Sequence, residues 1–362
     1  MTTLTKAPDQ LPQPTSAATV LTDHRTLPRW VPPALVATAL AVGGVVGWVV
    51  VGNVAAAAAI AFVVYLVGIH VTSRAVEGRR KAVDRTVTGV VTTAFLLALA
   101  PLVSVAYTVV RLGVARMDAE FFTYSMRGVV GEGGGAYHAI IGTLVVTLLA
   151  TAISVPIGLF TSIYLIEYGR GRLAKAITFF VDVMTGIPSI VAGLFAYALF
   201  ELLLGPGTRS GLSGAVALSV LMIPVVVRSA EEMLKLVPNE LREAAFALGV
   251  PKWRTIVKVV IPTALAGIAT GVTLAIARVI GETAPLLITL GTTTSLNVNP
   301  FVEGRMASLP VFSYYQYTQP GVDRDAYLDR AWAAALTLIL IVMLLNVVAR
   351  LVSRVFSPKT GR

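Results

Sequence analysis

In the stretch "IARVIGETAPLLITL", residues 276–290, Arg278 and Glu282 stand four residues apart in an otherwise apolar run, with Gly281 and Pro285 beside them. A guanidinium is permanently charged and presents a planar fork of donors that fits carboxylate or phosphate oxygens. A carboxylate one helical turn away can neutralise it. In hydrocarbon a lone charge at mid-depth costs at least about 2.5–3.5 kcal/mol, so Arg278 is expected to face a bundle interior and to have a partner, Glu282 at rest. Two readings stay open: a static ion pair holding the helix to its neighbours, or an anion station that Glu282 neutralises when empty. The run 261–290 would be about 45 Å long if wholly helical, more than the ~30 Å core of a bilayer, so it must tilt or break. Gly281 and Pro285 mark the natural break, and Arg278 is expected in the middle to outer half.

That argument needs a membrane, and the composition supplies one. Of 362 residues 56% are hydrophobic and only 13% charged, with mean hydropathy +0.80, whereas soluble domains carry about a quarter charged residues. Apolar runs long enough to cross a bilayer fall at about 31–51, 54–72, 87–110, 138–166, 176–204, 213–228, 261–290 and 332–352. Lipid cannot satisfy open backbone groups, so the expected fold is an all-α polytopic membrane protein of about eight transmembrane helices.

The net charge of +10 is explained by orientation. With a cytoplasmic N-terminus, 21 of the 29 basic residues fall in inner segments, seven fall in outer loops and Arg278 lies within a span. The positive-inside rule then puts both termini in the cytoplasm, and no nucleic-acid partner is required. There are no cysteines, and His24, His70 and His138 are far apart, so neither a metal centre nor a nucleophilic thiol has support. The Pro-, Thr- and Ser-rich residues 1–30 read as a disordered cytoplasmic tail ahead of a retained span.

The first two spans are joined by little more than "VGN" and followed by the basic loop "SRAVEGRRKAVDR", so residues 31–86 form an extra transmembrane hairpin. Gly43 and Gly47 give its first helix a spacing suited to close helix packing. The remaining 87–362 has about six spans and two sizeable outer loops, where Tyr314, Tyr315, Tyr317 and Trp332 suit interfacial anchoring. The outer "GEGGGA" formally matches a dinucleotide fingerprint, but no strand precedes it.

The inner loop at about 231–262 has the marks of a folded segment. Pro238 suits a first helical turn, Gly249 a left-handed residue after the last turn, and Pro251 prevents continuation, which bounds a helix of about ten residues. A second helix is expected to start near Lys252 and run into the next span. Leu241, Ala244, Ala245 and Leu248 follow helical spacing and form a narrow apolar face. The spacing alone leaves two readings: the face docks in a groove of another protein, or it packs on the chain's own inner surface.

The sequence "EAAFALGVPKWRTIVKVVIP" resembles the EAA loop of ABC importer permeases, through Glu243, Ala244, Ala245, Gly249, Val259, Ile261 and Pro262. The match extends to one branch: "PIGLFTSIYLIEYG", "GIPSIVAGLF", "MLKLVPNELREAAFALG", "IARVIGETAPLL" and "SLPVFSYYQ" resemble the PstA-type permease subunits of bacterial phosphate importers, over roughly 87–352. The resemblance implies an ABC importer permease core of about six spans. It implies coupling helices seated in a cleft of a PstB-type ATPase that binds ATP and magnesium, a second permease subunit of the PstC type, and an extracytoplasmic PstS-type phosphate-binding protein. The extra hairpin departs from that plan.

No phosphate-binding loop of the G-x-x-x-x-G-K-[ST] type and no G-x-S-x-G elbow occurs, so the chain itself is expected to hydrolyse nothing and to bind no cofactor. The terminal "SPKTGR" has Lys359 and Thr360 without the glycine loop. In "GIPSIVAGLF", Pro188 removes a backbone hydrogen bond, and Ser189 and its glycine neighbours permit a local break, either a tolerated kink or a hinge lining the pathway. Permeases for molybdate or sulfate are the nearest alternative. In an ion-coupled secondary transporter Arg278 and Glu282 would be the proton-linked pair, a reading the EAA-type loop opposes.

Overall fold

The computed structural model describes residues 26–50, 52–301 and 304–356. Most of the tail at 1–30 and the terminal "SPKTGR" lie outside the described residues. The described chain is helical and carries no strand. It divides by contacts into two units, residues 1–105 and 106–362. That division falls inside one long helix, whereas the sequence suggests a boundary near residue 86.

In the first unit α1 (Val31–Gly43) continues through a π-helical stretch to Val50, α2 (Val54–Val76) returns, and α3 (Arg79–Gly113) begins. Gly43 and Gly47 are where α1 and α2 touch: a Cβ on Gly43 would lie 2.6 Å from Ala61 Cβ, and one on Gly47 2.1 Å from Ala57 Cα. Ordinary hairpin packing therefore accounts for the glycine pair. The connection at 77–78 is built on Glu77. Its carboxylate accepts from Arg85 (2.6 and 2.8 Å), from Ser73 Oγ (2.7 Å) and from the Leu27 amide (2.8 Å).

The second unit follows with short α4 (Ala119–Thr123), α5 (Tyr137–Ile163), α6 (Gly171–Thr185), α7 (Ser189–Leu204) and α8 (Gly211–Lys235). Then come α9 (Asn239–Ala247), α10 (Lys252–Thr255), α11 (Ile261–Val279), α12 (Ala284–Thr289), α13 (Leu309–Thr318) and α14 (Arg324–Phe356). Its centre is α8, most of which is buried. Gly214, Ala215, Ala217 and Ser219 keep its face small, and small faces let helix backbones approach where no hydrophobic gain drives association within lipid. Leu218, Met222 and Val226 of α8 share a core with Val146 and Ala150 of α5, Ala275 and Val279 of α11, Leu286 of α12 and its C-cap Leu290.

Seven helices among the described residues are long and apolar enough to cross a membrane, and an eighth crossing exists only as a bent pair. That pair is α6 and α7, which meet at 109° within the expected continuous run 176–204. Pro188 lacks an amide donor and disfavours a helical Ile187, so the chain leaves α6 at Gly186 and restarts at Ser189. Pro156 and Pro224, by contrast, sit inside the continuous α5 and α8. The run 261–290 is also divided, with α11 ending at Val279 and α12 starting at Ala284.

In the first turns of α14, Arg330 is fully buried. It donates through Nη1 to the carbonyls of Gly131 (2.7 Å) and Gly133 (2.9 Å), and through Nε to Gln316 Oε1 (3.2 Å). The glycine cluster is thus a clasped turn. Tyr317 and Trp332 meet edge to face at 5.7 Å.

Candidate coupling and pathway site

The first region is built from α8, α9 and α10. After α9, Gly249 takes φ +73, its amide donates to the Phe246 carbonyl (2.9 Å), and the Val250 amide donates to that of Ala245 (3.1 Å). This doubled closure satisfies two of the helix's orphan carbonyls and needs a left-handed residue, which glycine adopts without a Cβ clash. Pro251 follows as the N-cap of α10.

Arg242 fixes α9 to the body. Its guanidinium donates to Glu167 Oε1 (3.0 Å), to the carbonyls of Val237 (2.6 Å) and Leu234 (3.0 Å), and to Asn239 Oδ1 (3.2 Å). One side chain thereby satisfies the open carbonyls at the end of α8, a position favourable for a cation, and ties α9 to the π-helical turn Tyr164–Tyr168 that follows α5. Lys252 adds a second tie, donating to the Glu167 carbonyl and lying 4.7 Å above the Tyr168 ring. Neither Arg242 nor Glu167 was singled out from the sequence. They are 75 residues apart, and no periodicity connects them.

The four-residue apolar face of α9 is split. Ala245 is 8% exposed and turns inward with Arg242, whereas Leu241, Ala244 and Leu248 are exposed. Leu236 and Phe246, which the spacing did not select, join the outward set. A nine-residue helix lying on the body must put one stripe down, and Arg242 with Ala245 is that stripe; Ala245 is an anchor of this chain. Glu243 is exposed, and Pro262 lies exposed in the first turn of α11. Asp182 of α6 pairs with Arg228 of α8, which also bonds Glu231 (2.7 Å).

The second region gathers the two breaks. α12 packs between α7 and α8. A Cβ on Gly193 of α7 would lie 2.6 Å from Pro285 Cα, and one on Gly214 of α8 2.6 Å from Leu290 Cδ2. Ser213 Oγ donates to the Thr289 carbonyl (3.1 Å). Pro188 caps α7, Ser189 is its half-buried first residue, and Pro285 sits in the first turn of α12. Gly281 is exposed in the gap between α11 and α12.

Arg278 and Glu282 do not form the expected ion pair: among the described residues neither has a side-chain hydrogen bond or ion pair. The four-residue relation holds only in a continuous helix, and the helix stops between them. Glu282 uses its amide to close the end of α11, donating to the Val279 carbonyl (3.1 Å). Nor does Arg278 point into this chain's own bundle. It is exposed in the last turn of α11, in line with exposed Leu274 and Thr270, one and two turns below. The buried face of α11, Ile268, Gly271, Ala275 and Val279, runs beside that exposed line.

Comparison with known proteins places this geometry. The family model for the "Binding-protein-dependent transport system inner membrane component" matches residues 154–362. "Phosphate transport system permease protein PstA 1" of Mycobacterium tuberculosis (strain ATCC 25618 / H37Rv) is 48% identical over 277 residues, 76% of this chain and 88% of that one. "Phosphate transport system permease protein PstA" of Pasteurella multocida (strain Pm70) is 42% identical over 261 residues, 71% of this chain and 88% of that one. In fold, a chain of the crystal structure of a bacterial alginate ABC transporter in complex with its alginate pentasaccharide-bound periplasmic protein matches with a TM-score of 0.55 at 14% identity, over 77% of this chain and 97% of that one. The broken spans, the clasped α9 and these matches agree, and the chain belongs to the binding-protein-dependent transport system inner membrane components, on the branch of the PstA permeases.

Proposed function

We propose that this chain is a transmembrane subunit of an ATP-driven importer of inorganic phosphate and forms the translocation pathway together with a second permease subunit of the PstC type. The observation that carries the reading is Arg278. A permanent cation in the last turn of a membrane-spanning helix, turned away from its own bundle and unpaired, is stable only if something other than lipid faces it. A second permease subunit provides that face, and an oxyanion passing between the two meets a guanidinium fork matched to its oxygens. Glu282, half-buried and unpaired across the break, is close in sequence and available to hold Arg278 in another state of the cycle.

On the inner side the exposed Leu236, Leu241, Ala244, Phe246 and Leu248 present an apolar surface to a PstB-type ATPase, where ATP and magnesium are bound, while Arg242 transmits force to α5 and α8. A PstS-type binding protein delivers phosphate at the outer face. The chain performs no hydrolysis of its own and lies in the inner membrane with both termini cytoplasmic. The test is ATP-dependent uptake of radiolabelled phosphate by vesicles carrying all subunits, with molybdate and sulfate as competitors. Uptake persisting with a hydrolysis-dead ATPase and an intact membrane potential would point to ion coupling, and stronger competition by molybdate or sulfate than by unlabelled phosphate would reassign the substrate.

A further inference from the structure

The N-terminal unit contains a groove of about 780 Å³ that the transport reading leaves unused. Its floor is α2, through Ala58, Phe62 and Tyr65, and its walls are α1 and the first half of α3. The two ends differ in chemistry. Lys81, half-buried, stands at one end beside Asp84 and the Glu77–Arg85 pair, whereas exposed Leu40 and Leu96 line the groove farther along. Glu77 is committed to Arg85 (2.6 Å). No acidic side chain among the described residues is within ion-pair distance of Lys81. Arg74, Arg79 and Arg80 are exposed around the same neck, so residues 74–85 carry five basic and two acidic groups.

We propose that this groove binds one anionic phospholipid of the cytoplasmic leaflet, with its phosphate at Lys81 and an acyl chain along α2. The inner placement rests on the charge asymmetry of the loops. Leu96 stands fifteen residues beyond Lys81, about 22 Å at 1.5 Å per residue, which exceeds the half-thickness of a ~30 Å core and so accommodates a full acyl leaflet. Hydrocarbon fills any such lateral opening in a bilayer; the basic neck makes the occupant anionic, because phosphate meets an uncommitted ammonium at the leaflet where anionic lipids concentrate.

The purified full chain in neutral detergent is titrated with phosphatidylglycerol or phosphatidylcholine and read by native mass spectrometry. Wild type is expected to hold one phosphatidylglycerol at concentrations where phosphatidylcholine does not bind. Lys81→Gln should weaken phosphatidylglycerol about fivefold and leave phosphatidylcholine unchanged, and Lys81→Arg should retain the preference. Ala58→Trp, which fills the floor, should abolish the bound lipid while Lys81 remains. Millimolar inorganic phosphate should not displace the lipid. Equal binding of both lipids, an unchanged Lys81→Gln titration, or displacement by inorganic phosphate would each overturn the proposal.

Discussion

Gly193 of α7 and Pro285 of α12 meet so closely that a Cβ on Gly193 would lie 2.6 Å from the proline Cα. Each residue belongs to the second piece of a broken run, so this contact joins the two breaks into one unit. The neighbour is backbone and cannot move aside as a flexible side chain would. Gly193→Val is expected to force the half-helices apart at about 1–3 kcal/mol, the usual range for overpacking a closed contact. The check is a lowered thermal midpoint of the purified complex together with reduced uptake; an unchanged midpoint would mean the two pieces separate without cost.

Arg278→Gln is expected to abolish phosphate uptake in a complex that still assembles. Arg278→Lys should rescue only partly, since it keeps the charge and loses the fork. Because no pair with Glu282 holds α11 in this structure, Glu282→Gln should leave the assembled complex as stable as wild type. Wild-type transport by assembled Arg278→Gln would refute the pathway role, and loss of assembly would favour a structural ion pair formed in another state.

On the inner side, the split face of α9 moves the point of contact. A cross-linker on Leu248 is expected to capture the ATPase, whereas one on Ala245 should react within its own chain. Arg242→Ala leaves Glu167 without its guanidinium in a site where its side chain is only 6% exposed, and breaking a buried pair from one side costs about 3–5 kcal/mol. ATPase activity should uncouple from uptake in that variant. Gly249→Val should block docking, through the left-handed backbone a β-branched residue cannot adopt cheaply. If Gly249→Val lost uptake while the Leu248 cross-link formed as in wild type, docking would not be what was broken.

The hairpin neck should be acid-labile. Arg85, with help from the Leu27 amide and Ser73, holds the Glu77 carboxyl down to about 2 from its usual 4.5 against the opposing effect of burial. A carboxyl depressed in the folded state stabilises it above the unfolded value, and that contribution is lost as pH falls from about 4.5 towards 2. Glu77→Gln is expected to lower stability at pH 7 and to remove the neck's pH dependence in that window. Limited proteolysis at 77–78 as a function of pH reads this out, and an identical pH profile in the variant would contradict it.

With a cytoplasmic N-terminus the basic residues divide 21 to 7 between inner and outer segments, and that split carries the expected topology. Reporters fused after Arg80 or Arg254 are expected in the cytoplasm, and reporters near Gly133 or Pro320 outside. A cytoplasmic signal near Gly133 would invert the coupling argument as well.

The sequence alone determined what depends on near neighbours and on solvent. Span lengths, the membrane class and the loop asymmetry are sums over local hydropathy and charge, and they need no contacts. Gly249 followed by Pro251 encodes its turn because backbone conformation is a property of those residues, and Gly281 with Pro285 marks the end of α11 for the same reason. The direction of a side chain around a helix is not local. Arg278 was expected inside its own bundle and paired, yet the packing of Ala275 and Val279 against α8 turns it outward, and the break it flanks removes the helical register that would have brought Glu282 to it. Ala245 faces inward because Arg242 reaches Glu167, 75 residues away, and Arg330 holds carbonyls of a loop nearly two hundred residues earlier in the chain. Such pairings have no periodicity to betray them; only closure of the tertiary structure, which brings distant segments against buried polar groups, decided them.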